Sequence, residues 1–151
     1  MKKIVMCFGT FDRIHAGHED YFRQAKELGD EVIVAVFRDA TVVEIKGDLP
    51  LNNEGERVRK LNEHPMVDEA RLDYASDKYR IIEECKPDII CLGFDQEAFS
   101  DNIDAELSRR GISCNVVRCQ MYIPETAKTG RDMYDDSSFT EAEYEEKGLP
   151  M

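Results

Sequence analysis

Residues 8–18 read Phe8-Gly9-Thr10-Phe11-Asp12-Arg13-Ile14-His15-Ala16-Gly17-His18. This stretch follows a continuous apolar run at residues 4–8, which is typical of a strand buried on both faces. It precedes residues 17–28, whose apolar positions recur at helical spacing. A polar, glycine-containing junction between a buried strand and a helix is where open α/β sheets bind phosphate groups. The stretch therefore predicts a phosphate site at the start of an α/β fold.

Strand and helix patterns alternate along the rest of the chain. Further strands are predicted at residues 31–37, 66–72, 88–92 and 112–118. Further helices are predicted at residues 54–63, at 76–85 with Ser76 as the cap, and at 101–110. Residues 38–53 are predicted to form a long loop with one helical turn, because glycine, proline and paired asparagines fall there. This alternation predicts a doubly wound α/β fold with a mainly five-stranded parallel sheet, which is a Rossmann-like architecture.

Length and charge limit the domain organisation and the possible partners. We expect one domain at residues 1–131 and an acidic tail at residues 132–151, either a short helix or disordered, in which seven acidic residues face one basic residue. A net charge of −12 argues against a general nucleic-acid-binding surface, which needs a basic footprint. The chain has no apolar run near the roughly 18 residues that span a membrane. We therefore expect a cytoplasmic protein without nucleic-acid or membrane partners.

Two of the three histidines lie in the opening stretch. His15 and His18 are three residues apart, so both rings should point toward the positive N-terminal end of the following helix. Gly9 and Gly17 leave room for a ligand, and Thr10 offers a hydroxyl and a backbone amide. This arrangement suits the stabilisation of a phosphate whose charge grows during reaction. The alternatives are a surface histidine pair with structural hydrogen bonds, and a metal-binding pair, for which no third ligand is evident nearby.

A family resemblance rests on these residues. Gly9-Thr10-Phe11-Asp12-x-x-His15-x-Gly17-His18 resembles the signature of the cytidylyltransferase-like nucleotidyltransferases. Residues 38–47 and 86–96 extend the likeness, which covers about residues 1–131. Within that family, the pattern is most similar to the small archaeal-type FAD synthases and next to the glycerol-3-phosphate cytidylyltransferases.

The resemblance implies a reaction and a set of site residues. A phosphorylated small acceptor attacks the α-phosphate of ATP or CTP, and pyrophosphate leaves. The implied catalytic residues are His15, His18, Lys46 and Arg57. The implied nucleotide-binding residues are Gly9, Thr10, Phe11, Gly17, Gly93, Asp95 and Thr129. Asp12 and Asp39 are implied on the acceptor side. Mg²⁺ would accompany the triphosphate, bound mainly through phosphate oxygens rather than a protein metal site. The resemblance also implies a homodimer.

One segment departs from the family pattern. Where the family has a Ser/Thr-rich helix start, this chain has Lys128-Thr129-Gly130. Thr129 takes the first hydroxyl position, or Thr126 takes it in another alignment. The arginine that precedes this segment in the glycerol-3-phosphate cytidylyltransferases has no clear counterpart. Three hypotheses follow: an FAD-synthase-like enzyme using ATP and FMN, a glycerol-3-phosphate-type cytidylyltransferase using CTP, and a nucleotide-binding protein with weakened turnover.

Overall fold

The computed structural model describes residues 2–93, 102–120 and 122. Its strands are β1 (Ile4–Gly9), β2 (Glu31–Val36), β3 (Glu69–Leu72), β4 (Ile89–Leu92) and β5 (Asn115–Arg118). Its helices are α1 (Ala16–Leu28), α2 (Asp39–Lys46), α3 (Glu54–Asn62), α4 (Arg80–Cys85) and α5 (Ile103–Arg109). No helix among these residues is long and apolar enough to cross a membrane. The tail at residues 132–151 lies outside the described residues.

The five strands form one parallel sheet in the order β3-β2-β1-β4-β5. The chain moves outward from β1 through β2 to β3 and then returns to the other side of β1 with β4. The order therefore reverses between β1 and β4, which is where open α/β sheets form a ligand-binding crevice at the carboxyl ends of their strands. This confirms the predicted α/β fold with a five-stranded parallel sheet.

Hydrophobic residues cover both faces of the sheet. Along β1, Val5 and Cys7 point to one cluster while Met6 and Phe8 point to the other, because successive side chains of a strand alternate. Residues of α1 and α3 belong to the first cluster, and residues of α2, α4 and α5 belong to the second. The continuous apolar run at the start of the chain is thus explained by burial on both sides.

The segment at residues 38–53 is more regular than predicted. Instead of a long loop with one turn, it contains the eight-residue helix α2, followed by a short connection to α3. The carboxylate of Glu54 accepts the backbone N–H of Asp39 at 2.9 Å, which satisfies a donor at the helix start. Gly47 ends the helix in the left-handed region at φ 88°, a conformation that glycine adopts without a Cβ penalty.

Helix α4 begins later than predicted. The prediction placed Ser76 as its cap, but the helix starts at Arg80. The residues before it form a turn in which the Asp77 carboxylate accepts the backbone N–H of Tyr79 at 3.1 Å. A carboxylate one residue after the predicted serine therefore makes the local backbone bond, and the first regular turn moves toward the C-terminus.

Candidate active site

The two histidines of the opening stretch lie against each other at the N-terminus of α1. Their rings are stacked with centroids 3.9 Å apart and planes 16° from parallel. His15 is the N-cap of the helix, and its Nδ1 accepts the backbone N–H of Gly17 at 3.1 Å. Nδ1 of His18 accepts the backbone N–H of His15 at 3.3 Å. The helix start thus fixes both rings through its own otherwise unpaired amides.

These bonds assign the tautomers of both rings. In a neutral imidazole, one nitrogen carries the proton and the other accepts. Because Nδ1 accepts in both His15 and His18, the proton of each neutral ring is on Nε2. Each ring therefore presents an N–H donor on the side away from the helix backbone. Two parallel donors beside a helix N-terminus are suited to bind an anion.

His18 is held in its neutral form. Its side chain is fully buried, and its pKa lies well below the ordinary histidine value, first because burial disfavours the charged ring and second because His15 is adjacent. Phe11 adds to this apolar environment with an edge contact at a centroid distance of 5.1 Å. A neutral ring donates from Nε2 without carrying a charge of its own.

Two buried polar atoms of this loop lack a hydrogen-bond partner among the described residues, Oγ1 of Thr10 and Nε2 of His18. Thr10 is only 2% exposed and His18 is fully buried. A buried hydroxyl or N–H without a partner costs free energy, so native structures rarely keep one unless a ligand or water completes it. These two atoms are the strongest local indication of a polar ligand.

Phe11, which the resemblance implies as a nucleotide-binding residue, also shapes the backbone of the loop. Its φ is 54°, in the left-handed region that non-glycine residues rarely adopt. Its ring is 2% exposed and packs on His18, Tyr21 and Phe22. The side chain therefore anchors the loop in the core, and the left-handed turn redirects the chain toward Asp12.

Asp12 bonds to the connection before α3. Its Oδ2 accepts the backbone N–H of Leu51 at 2.7 Å, and its Oδ1 accepts the backbone N–H of Asn52 at 2.8 Å. The Asn52 side-chain amide also donates to the backbone carbonyl of Asp12 at 2.7 Å. The carboxylate predicted on the acceptor side is thus used to join two segments of the chain.

The fully buried Arg57 side chain lies at the centre of a second network. Its guanidinium donates to the carbonyls of Asn52 at 3.0 Å, Thr10 at 2.8 Å and Phe37 at 2.8 Å, and to the Asp39 carboxylate at 2.7 Å. The side chain of Arg57 is 0% exposed, whereas that of Asp39 is 27% exposed. These two predicted site residues therefore pair with each other, and the arginine ties the ends of β1 and β2 to the start of α3.

Lys46 is the last residue of α2 and lines a cavity of about 310 Å³. The cavity lies between the loop after β1 and the segment from α2 to α3. Its lining residues are Thr10, Asp12, Val42, Lys46, Asp48, Leu49, Pro50 and Leu51. The structure therefore brings the predicted lysine to the same cavity as Thr10, at the carboxyl edge of the sheet.

The remaining predicted residues lie along the same edge or outside the described residues. Gly9 ends β1, and Gly17 lies buried in the first turn of α1. Gly93 directly follows β4, and its carbonyl accepts from the Arg118 guanidinium at 2.8 Å. Asp95 and Thr129, like Thr126 and Gly130, lie outside the described residues, so their predicted contacts with the nucleotide stay predictions.

Three residues that position the site were not predicted from the sequence. Asn52 and Glu54 hold the loop and the start of α2, as described above. Asp73, 1% exposed, accepts the backbone N–H of Arg38 at 2.9 Å, and burial raises the pKa of its carboxyl. Their roles depend on contacts between distant segments, and the only signal in the sequence was a group of loop-forming residues.

Paired imidazole donors lie at a helix N-terminus, beside the point where strand order reverses, and this arrangement is suited to bind phosphate groups. The sequence model of the family described as cytidylyltransferase-like matches residues 6–144. The chain therefore belongs to the cytidylyltransferase-like family.

Individual relatives narrow the assignment of the chain within this family. The chain is 42% identical over 118 residues to an FAD synthase of Aciduliprofundum boonei, covering 78% of this chain and 78% of that protein. It is 40% identical over 133 residues to an FAD synthase of Thermococcus sibiricus, covering 86% of this chain and 90% of that protein. It is an FAD-synthase-like nucleotidyltransferase, as the sequence predicted.

Solved structures share the fold. The crystal structure of the lipopolysaccharide core biosynthesis protein from Thermoplasma volcanium superimposes with a TM-score of 0.76 at 36% identity, covering 82% of this chain and 100% of that one. A pantoate-beta-alanine ligase from Francisella tularensis superimposes with a TM-score of 0.59 at 15% identity, covering 89% of this chain and 67% of that one. The second likeness is one of fold alone.

Proposed function

We propose that this enzyme transfers AMP from ATP to FMN, forming FAD and releasing pyrophosphate. The observation that carries the proposal is the stacked pair His15 and His18, whose Nε2–H donors lie at the N-terminus of α1. The Thr10 hydroxyl of the same loop is buried and has no hydrogen-bond partner among the described residues. The FAD synthase names of the relatives support the choice of ATP and FMN.

In the proposed reaction, the acceptor phosphate attacks the α-phosphate in line with the leaving pyrophosphate. Negative charge on the phosphate oxygens shifts toward the leaving group in the transition state. Donors already fixed in place stabilise that charge without reorganising, which is why His15 and His18 accelerate the step. Lys46 at the end of α2 supplies a positive charge to the phosphates. No covalent intermediate with the protein is needed.

A Mg²⁺ ion bound with the triphosphate would neutralise part of its charge. Among the described residues, no group of three or more histidine, cysteine, aspartate or glutamate side chains could hold a metal ion. The carboxylates of Asp12 and Asp39 are engaged by protein donors. We therefore propose that phosphate oxygens and water supply most of the ligands of the ion, which is usual for Mg²⁺ with nucleotides.

A substrate panel tests the function. The full chain is incubated with ATP or CTP and with FMN or glycerol 3-phosphate, and pyrophosphate and the coupled product are both quantified. We expect pyrophosphate and FAD in equal amounts from ATP and FMN. CTP with glycerol 3-phosphate as the productive pair would replace the proposal with the cytidylyltransferase alternative. Nucleotide binding without pyrophosphate from any pair would favour the weakened nucleotide-binding protein.

We further propose that the enzyme is a homodimer, as the family resemblance implies, and that it acts in the cytoplasm, as expected from the sequence. Light scattering of the purified chain over a range of concentrations tests the dimer. A monomer at the highest concentration would contradict it.

A further inference from the structure

The two central strands of the sheet part before they end. The pairing of β1 with β2 continues to the last residue of both strands, and so does the pairing of β4 with β5. The pairing of β1 with β4 stops at Cys7 and Cys91, so Phe8 and Gly9 of β1 and Leu92 of β4 lie beyond the last pair. The strand order reverses at this seam, and the ligand-binding crevice of an open α/β sheet lies at such a point.

One side-chain hydroxyl bonds both strands where they part. The hydroxyl of Tyr21, on α1, accepts the backbone N–H of Phe8 at 3.2 Å and donates to the backbone carbonyl of Cys91. Cys91 is the last paired residue of β4, and Phe8 is the first residue of β1 beyond the last pair. A side chain therefore supplies part of the bonding between the two strands at this point.

The surroundings of Tyr21 hold this hydroxyl in one place and in one protonation state. The side chain is 0% exposed, and its ring packs on Phe11 and Phe22 at centroid distances of 6.4 and 6.0 Å. Burial raises the pKa of the hydroxyl well above its ordinary value, so the group keeps its proton and remains a donor. A phenylalanine would fill nearly the same volume, so the hydroxyl alone accounts for the bonds to the two strands.

Tyr21 also links the seam to the histidine loop. It lies three residues after His18, so both side chains are on the same face of α1, and both rings contact Phe11. Strand β1 leads into this loop, and strand β4 leads into Gly93. Because one helix carries His18 and Tyr21, the bond from Tyr21 to Cys91 fixes the end of β4 relative to the imidazole donors.

We propose that Tyr21 is a positioning residue of the nucleotide site: its hydroxyl fixes where β1 and β4 part and so sets the distance between the histidine loop and Gly93. This inference rests on the proposed function and adds that ATP binds across this seam. A site whose two sides are misplaced loses affinity, even when the residue responsible does not touch the ligand. A role confined to the core would instead change stability and leave ATP affinity as it is.

Tyr21→Phe tests the hydroxyl, because it keeps the ring and removes the bonds to both strands. The dissociation constants of ATP and FMN are measured separately on the full chain, by calorimetry and by flavin fluorescence, so neither depends on turnover. We expect the ATP constant to rise about tenfold in the folded variant, while the FMN constant stays within about twofold.

Three outcomes separate this inference from the proposed function. An unchanged ATP constant in folded Tyr21→Phe, with FAD formed by the parent chain, would overturn the inference and leave the function intact. A parent chain that forms no FAD, while Tyr21→Phe still weakens ATP binding, would overturn the function alone. A parent chain that does not bind ATP would overturn both.

Ile81→Val is the matched control for lost stability. Ile81, 0% exposed, belongs to the cluster on the other face of the sheet, and loss of its methylene group lowers stability without removing a bond at the seam. Its ATP constant should equal that of the parent chain. Equal weakening of ATP binding in Ile81→Val and Tyr21→Phe would make the effect one of stability and overturn the inference.

Hydrogen exchange of the parent chain tests the inference without a variant. The backbone N–H of Phe8 is bonded at the seam, so ATP bound across the seam should slow its exchange about tenfold, whereas FMN alone should leave it unchanged. A Phe8 exchange rate that saturating ATP leaves unchanged would overturn the inference.

Discussion

Two groups of polar side chains meet in the loop after β1, and they differ in what they bond. Asp12 and Arg57 are surrounded by partners from the protein: the carboxylate accepts two backbone amides, and the guanidinium makes four hydrogen bonds. Thr10 and His18 are buried as deeply, yet Oγ1 and Nε2 find no partner among the described residues.

The difference separates two roles within one motif. A buried polar group with all its bonds made stabilises the fold, whereas one with an unmade bond lowers stability until a ligand completes it. We therefore propose that the first pair positions the site and that the second pair contacts the substrate. Sequence position alone does not distinguish them, since Thr10 and Asp12 are two residues apart.

The largest stability effect should come from Arg57→Met. Loss of the guanidinium removes the hydrogen bonds to three carbonyls and leaves the Asp39 carboxylate without this ion pair, so the free energy of unfolding should fall by about 3–5 kcal/mol. Urea unfolding measures it. Arg59→Met is the matched control, because Arg59 lies on the same helix in exposed ion pairs and its loss should change stability little. Unaltered stability with weakened ATP binding would instead make Arg57 a phosphate ligand.

A smaller loss of stability is expected when the hydrogen bonds between Asp12 and Asn52 are removed. Asp12→Ala and Asn52→Ala should each lower the free energy of unfolding by about 1–3 kcal/mol, since each leaves buried donors or acceptors unpaired. A double-mutant cycle should give a coupling energy of about 0.5–3 kcal/mol, because the two changes remove the same bonds. Purely additive losses would show that Asp12 acts separately from Asn52, as a direct acceptor ligand would.

The smallest expected effect is the change of the free energy of unfolding with pH. The folded pKa of His18 lies below the unfolded value of about 6.5, so between those two values the unfolded chain binds a proton that the folded chain does not. Stability should therefore fall as pH drops below about 6.5, with a slope of at most about 1.4 kcal/mol per pH unit from this group.

The pH measurement compares urea unfolding of the parent chain and His18→Gln between about pH 7 and pH 5. The variant is needed because Asp73 also changes the free energy of unfolding with pH. Burial raises the pKa of its carboxyl, so its contribution has the opposite sign to that of His18 and is present in both proteins. The variant should show the shallower loss at low pH. Parallel curves would mean that His18 titrates equally in the folded and unfolded chains.

The sequence predicted the fold well because its strands are short apolar runs punctuated by glycine and proline. The continuous run at residues 4–8 predicts a strand buried on both faces, and β1 has that environment. Helix α2 was missed because Asp39–Lys46 depends on Glu54, fifteen residues away in the sequence, for a bond at its start. Local propensity carries no information about such a contact.

Within the candidate site, contacts between neighbouring residues could be predicted, whereas contacts between distant segments could not. His15 and His18 interact through the adjacent backbone of one helix start, so their spacing alone predicts their proximity. Arg57 was singled out as a site residue from the resemblance, but its burial and its bonds to three distant carbonyls follow only from the sheet topology. The exposure of Leu49 and Leu51 in the cavity lining was not predicted, because the sequence alone does not show which apolar residues of a loop are exposed.

The rate of FAD formation in histidine variants tests the central claim most directly. His15→Ala and His18→Ala are compared with His64→Ala, the third histidine, whose ring contacts Glu19 and Phe22. Folding of each variant is checked by urea unfolding. We expect kcat to fall by about 10²–10³ in each of the first two variants and to stay near the parent value in the third. Unchanged turnover in folded His15→Ala or His18→Ala would contradict it.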